Sequence, residues 1–219
     1  MHRSIRLGTF AAGLGAGLVL ALVVTLVPPA EAAAGKTTAA AFQDDMRKLW
    51  EDHIVWTRQY IVSAATLPAD RADIGPTTDR LLANQTDIGN ALKPFYGDAA
   101  GEQVTALLRD HILTAAQLVA AAKARDSAAV ERTSAAWYAN GEDIAVALHE
   151  LNPRYWDLEH FKMMMKAHLD RTLDEAVARL QGRYADDIAA YEAVHADILQ
   201  MADMLSDGII RQFPKAFTR

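Results

Sequence analysis

The residues best suited to chemistry in this chain are histidines. His53, His111 and His168 follow one another at intervals of 58 and 57 residues, and His195 lies further on. Each sits on the apolar stripe of a segment with helical period. His53 lies between Leu49, Trp50 and Thr57, and His111 among Leu107, Thr114, Ala115 and Leu118. His168 lies between Met164, Met165 and Thr172, and His195 among Tyr191, Ile198, Leu199 and Ala202. An imidazole on a core-facing stripe needs a partner, because a buried polar group left unpaired costs roughly 1–3 kcal/mol. Asp87, Asn84 and Asn140 are available, and Asp187 shares a face with Tyr191, which makes it a partner for His195. Neutral imidazoles with one carboxylate suit zinc or copper. The expectation is therefore a metal centre of His53, His111, His168, His195 and Asp87, supported by Asn84, Asn140 and Asp187. The competing expectation is a buried hydrogen-bonded layer that sets helix register and holds no ligand, in a structural or protein-interaction module of the cell envelope.

The elements that must position these residues are helices. The first is expected over residues 41–66, stopped by Leu67-Pro68. Thr77-Thr78 caps the second, which ends at Lys93-Pro94, and Phe95-Tyr96-Gly97-Asp98 connects onward. The third covers 99–124; the fourth starts at Asp126-Ser127 and closes at Asn152-Pro153. Asp157 caps the fifth, which reaches Gln181, and the sixth runs from Tyr184 to Gln212 before Phe213-Pro214. No period-2 stretch competes. The order N-x-x-D-I-x-x-A-L occurs at Asn84–Leu92 and again 56 residues on, at Asn140–Leu148. The expected fold is an all-α up-and-down bundle of six helices, built as three pseudo-repeated hairpins. Counted from the hairpin tips at 1.5 Å per residue, the histidines, Asp87 and Asn140 share one depth, roughly 20 Å down.

Ahead of the bundle stands an export signal. Arg3 and Arg6 precede an apolar stretch over residues 7–27, and Pro28-Pro29-Ala30-Glu31-Ala32 ends in a small-x-small cleavage pattern. Residues 1–32 read as a signal peptide, 33–40 as a linker and 41–219 as one domain. An uncleaved anchor is the other reading, since about 21 apolar residues reach across a bilayer. The folded part is expected outside the cytoplasm, in the periplasm or cell envelope or secreted, touching membrane only through that segment. Among 219 residues, 51% are hydrophobic and none is cysteine, which excludes disulfides, thiolate metal sites and covalent c-type haem. Removing residues 1–32 takes away two Arg and one Glu and leaves a formal charge of −7; with no basic block, nucleic acid is not an expected partner.

Other patterns carry less. Glu192-x-x-His195 has the spacing of a di-iron ligand pair, but a second such motif is missing. Met163-Met164-Met165, Met201 and Met204 read as core filler before they read as copper ligands. Trp50, Trp56, Trp137 and Trp156 read as packing, and Asp170, Glu175 and Asp186 as a mixture of solvated and inward carboxylates. No nucleophile elbow or Gly-rich phosphate loop is present, and a redox or hydrolytic enzyme ranks third, after the metal centre and the envelope module.

The segments Leu49-Trp50-Glu51-Asp52-His53, Trp56-Thr57-Arg58, Asn84-Gln85-Thr86-Asp87-Ile88-Gly89, Pro94-Phe95-Tyr96-Gly97 and Gln212-Phe213-Pro214 resemble a family of exported bacterial all-helical proteins of no known activity. The resemblance implies that the fold recurs and that the His and Asn/Asp positions belong to its pattern. It implies no substrate and no cofactor.

Overall fold

The helical periodicity is realised throughout. In the computed structural model, which describes residues 37–66 and 72–218, six long helices follow one another and no β-strand is present among the described residues. They are α1 (Ala39–Ala65), α2 (Ile74–Tyr96), α3 (Asp98–Ala124), α4 (Ser127–Leu151), α5 (Leu158–Leu180) and α6 (Tyr184–Gln212). The expected signal or anchor segment, and the linker up to residue 36, lie outside the described residues. No described helix is long and apolar enough to cross a membrane.

Three helix starts are fixed by side-chain caps that satisfy otherwise unpaired backbone donors. Thr38 accepts from Ala41 N, Asp126 from Ala129 N and Asp157 from His160 N, at 2.9–3.0 Å. Two boundaries differ from the sequence expectation. Helix α2 begins at Ile74, one turn before Thr77-Thr78, because Pro76 fits the first turn, where a missing N–H breaks no bond. Pro94 does not end α2, which continues to Tyr96 before Gly97, at φ +84°, turns the chain into α3. A proline in the last turn forfeits one backbone bond, whereas the two residues after it enter an aromatic cluster. Phe95 packs against Phe42, Phe213 and Phe217 at 5.3–5.8 Å, and Tyr96 against Trp156 at 5.8 Å.

Each helix packs on its sequence neighbours, and α1 against α6 closes the ring. Helices α1, α3 and α5 also meet one another. The odd-numbered helices therefore surround the centre, and inward residues on all three can touch.

Helices α2 and α3 approach closely at a pair of glycines. A Cβ placed on Gly89 would stand 2.5 Å from the Gly101 carbonyl oxygen, and one on Gly101 would stand 2.6 Å from that of Gly89. Backbone cannot yield as a flexible side chain can. Gly89→Ala should accordingly lower stability by about 1–3 kcal/mol, read as a fall in thermal midpoint. Gly75→Ala is the control, since nothing lies within 4 Å of a Cβ there.

Candidate functional site: a buried layer of three imidazoles

His53 on α1, His111 on α3 and His168 on α5 are each 3% exposed and converge at the centre. The His168 ring lies between the other two, 5.8 Å from His53 and 6.1 Å from His111, centroid to centroid. Trp50 meets His53 edge-on at 6.0 Å, and Trp137 stacks on His111 at 5.2 Å.

Amide side chains from the even helices hold this layer. Asn84 on α2 donates through Nδ2 to the Leu49 carbonyl at 2.9 Å, four residues before His53. Asn140 on α4 does the same to the Leu107 carbonyl at 3.1 Å, four residues before His111. The two N-x-x-D-I segments thus make one contact in two hairpins. Because Asn140 spends its NH₂ on Leu107, its Oδ1 is the group facing His111 Nδ1 at 2.9 Å. His111 Nδ1–H must then donate, leaving Nε2 with the lone pair. Gln85 gives its NH₂ to the Leu81 carbonyl and to Asn84 Oδ1, so its Oε1 turns toward His53.

Burial keeps all three rings neutral. It pushes His53 down to about 3, helped by the neighbouring His111 and opposed by Gln85. His111 falls to about 4 through burial, opposed by Asn140, and His168 falls well below its ordinary value through burial and the two other imidazoles. Three buried polar atoms of this layer lack a hydrogen-bond partner, Trp50 Nε1, Trp137 Nε1 and His168 Nδ1, and His53 Nδ1 and Gln85 Oε1 have only each other. Among the described residues, no group of three or more His, Asp or Glu side chains is arranged to hold a metal ion as it stands.

His195 and Asp87, expected in the same layer, stand outside it. His195 is on α6, at the outer side of α1, where Nε2 meets Glu51 Oε1 at 3.0 Å and the ring stacks on Tyr191 at 5.9 Å. The side chain of Asp87 is 51% exposed and faces Arg80 at 3.7 Å. Asp87 comes three residues after Asn84, and α2 spends its inward face on Asn84, Gln85 and Ile88. Asp187 is fully buried but does not touch His195. It receives two N–H groups of Arg58 and one of Arg179. Glu192 is exposed, and Met165 and Met201 are core residues.

The sequence reading missed this second polar centre. Arg58 Nη1 also donates to Glu175 Oε1 at 2.9 Å, and Glu175 is 1% exposed. Burial raises Glu175 to about 7 against the pull of Arg58. The available signal was spacing, since Glu175 lies seven residues after His168 and so shares its face. No known protein family, curated protein or solved structure matches the chain.

Acid should unfold the protein through the imidazole layer. Unfolded histidines titrate near 6.5, so below that pH the unfolded chain binds protons that the folded one refuses. Stability then falls by about 1.4 kcal/mol per pH unit for each ring held neutral. Above 6.5 neither state holds the proton and the contribution is constant. Glu175 acts oppositely: its raised value makes the folded state bind the extra proton, stabilising it as pH falls from about 7 to 4.5. Three rings outweigh one carboxyl. The thermal midpoint followed by circular dichroism should drop steeply from pH 6.5 to 4.5, and His168→Leu should make the drop shallower; a flat profile would refute the account. Within the second centre, Asp187→Asn leaves Arg58 with Glu175 as its remaining carboxylate and should cost about 3–5 kcal/mol. Glu175→Gln at pH 8 should cost far less, because burial already disfavours that charge.

Proposed function

We propose that the three-imidazole layer binds a transition metal ion, zinc or copper, in an exported helical bundle with a storage, sensing or stress role. One observation carries the reading: beside three neutral imidazoles, His168 Nδ1 and the indole N–H groups of Trp50 and Trp137, whose rings lie against His53 and His111, are buried without hydrogen-bond partners. Native interiors rarely leave such groups unpaired, at roughly 1–3 kcal/mol each. A metal ion with its bound water would take imidazole lone pairs and offer an oxygen acceptor to the indole N–H groups. The His111 tautomer fits this, with Nδ1–H fixed by Asn140 and Nε2 left to ligate, the second-sphere pattern common to metal-bound histidine. Rings sharing one tetrahedral ion lie roughly 5 Å apart between centroids. The His168 ring stands within about 1 Å of that spacing from each of the other two, at 5.8 and 6.1 Å, and His53 and His111 would have to approach one another on binding.

Metal analysis of protein from the extracytoplasmic fraction, followed by zinc and cobalt titration of the stripped protein, tests this. The expected result is one ion per chain, a raised thermal midpoint and a tetrahedral cobalt spectrum. All three should be lost in His111→Ala/His168→Ala. A folded, metal-free protein whose melting ignores both added metal and chelator would leave the layer as a device for helix register alone.

A further inference from the structure

The indoles of Trp50 and Trp137 and the amides of Gln85 and Asn140, which meet the imidazole layer, are all uncharged, as are the rings themselves. Among the described residues the buried carboxylates are Glu175 and Asp187, and both are taken up by Arg58. Glu175 stands seven residues beyond His168, about 10 Å along α5. An ion at the layer therefore keeps its whole charge among rings that are each 3% exposed. The cost of burying an ion rises with the square of its charge, so a divalent ion costs about four times as much as a monovalent one. Zinc-bound histidines commonly meet that cost with a carboxylate on the far ring nitrogen. Here the far nitrogen of His111 donates to the amide oxygen of Asn140, and that of His53 faces the amide oxygen of Gln85.

The spacing of the rings agrees with the charge. An ion about 2.0 Å from each nitrogen, itself about 1.1 Å from its ring centre, sets two centroids about 6.3 Å apart in a linear pair. That figure falls to about 5.5 Å at a trigonal ion and about 5.1 Å at a tetrahedral one. His168 stands 5.8 and 6.1 Å from its neighbours, between the linear and trigonal values. It is also the ring whose Nδ1 is buried without a hydrogen-bond partner. Cuprous copper is satisfied by two or three nitrogen donors, whereas zinc takes four and cupric copper favours a square plane. We propose that the layer is selective for a monovalent soft ion, cuprous copper, over zinc, with His168 as the ligand shared with either neighbour. The inference rests on the metal-binding reading above and narrows it to one charge state.

Competition on the same stripped protein tests the selectivity, with bicinchoninate against cuprous copper under argon and ascorbate, and a fluorescent chelator against zinc. One cuprous ion per chain is expected, held at least ~100-fold more tightly than zinc. Silver(I), which has the same charge and low coordination number and needs no reductant, should bind one-to-one and compete with copper. X-ray absorption of the copper form should show two or three nitrogen neighbours. Gln85→Glu and Asn140→Asp each set a carboxylate against one ring, and should move the zinc-to-copper affinity ratio toward zinc by about tenfold or more. His168→Ala should abolish copper binding while the helical spectrum persists. Zinc held as tightly as cuprous copper, or a ratio that stays fixed in whichever carboxylate variant is folded, overturns the selectivity and leaves the metal site standing. Binding of neither ion overturns both.

Discussion

Desolvation of three imidazoles at one depth is the condition around which the bundle is arranged. An uncharged ring is buried at least cost when its N–H and lone pair are placed, and each ring here comes from a different odd-numbered helix. The odd helices must therefore meet at the centre, and the even helices must fill the angles between them. Asn84 and Asn140 connect these requirements. Each amide ties an even helix to the carbonyl one turn before a histidine, and Asn140 also fixes the tautomer of its ring. A one-residue slip between α3 and α4 would break both bonds of Asn140 together. The polar layer thus specifies register in a way that interchangeable aliphatic contacts do not.

The Arg58 centre solves the opposite problem with charge retained. Asp187 takes two guanidinium N–H groups of Arg58 and one from Arg179, so both of its oxygens are paired despite full burial. Glu175 receives one N–H, and burial then outweighs attraction and raises its proton affinity. Two carboxylates around one shared cation are therefore not equivalent, and the difference follows from donor count. The two polar centres share helices α1 and α5, with α3 completing the first and α6 the second. His168 and Glu175 share a face of α5, while Arg58 follows His53 by five residues on α1 and so points toward α6. Tyr191 lies under the Arg58 guanidinium and stacks on His195, which places His195 at the solvent end of that centre.

The helices, their caps at Asp126 and Asp157, and the convergence of His53, His111 and His168 were legible because periodicity and cap chemistry are local. A histidine on a continuous apolar stripe has few places to go but inward. Asp87 and His195 were misplaced for a definite reason. Depth along a helix can be counted from sequence, but azimuth is uncertain when the stripe is interrupted, and three residues of α2 rotate a side chain from core to solvent. Arg58 was not legible as a buried group, since its stabilisation comes from carboxylates 117 and 129 residues away. Pro94 misled because its local cost is certain while the aromatic contacts that offset it are tertiary.

The imidazole layer also separates two kinds of packing. Toward the chain ends the core is aromatic: Phe42, Phe95, Phe217, Trp156 and Phe161 interlock, and Thr218 N bonds to the Thr37 carbonyl at 3.0 Å. Toward the hairpin tips the core shrinks to small side chains, with Ile61, Ala64, Val119 and Ala176 forming a cluster of their own. Small residues bring helices close only where the opposing faces complement each other. Where Ala115, Ala116 and Ala122 of α3 face Ala176 of α5, with Thr57 and Tyr60 of α1 alongside, they leave an apolar slot instead. Apolar contact per residue is therefore lower at the tips, and local opening should cost less there than at the aromatic base.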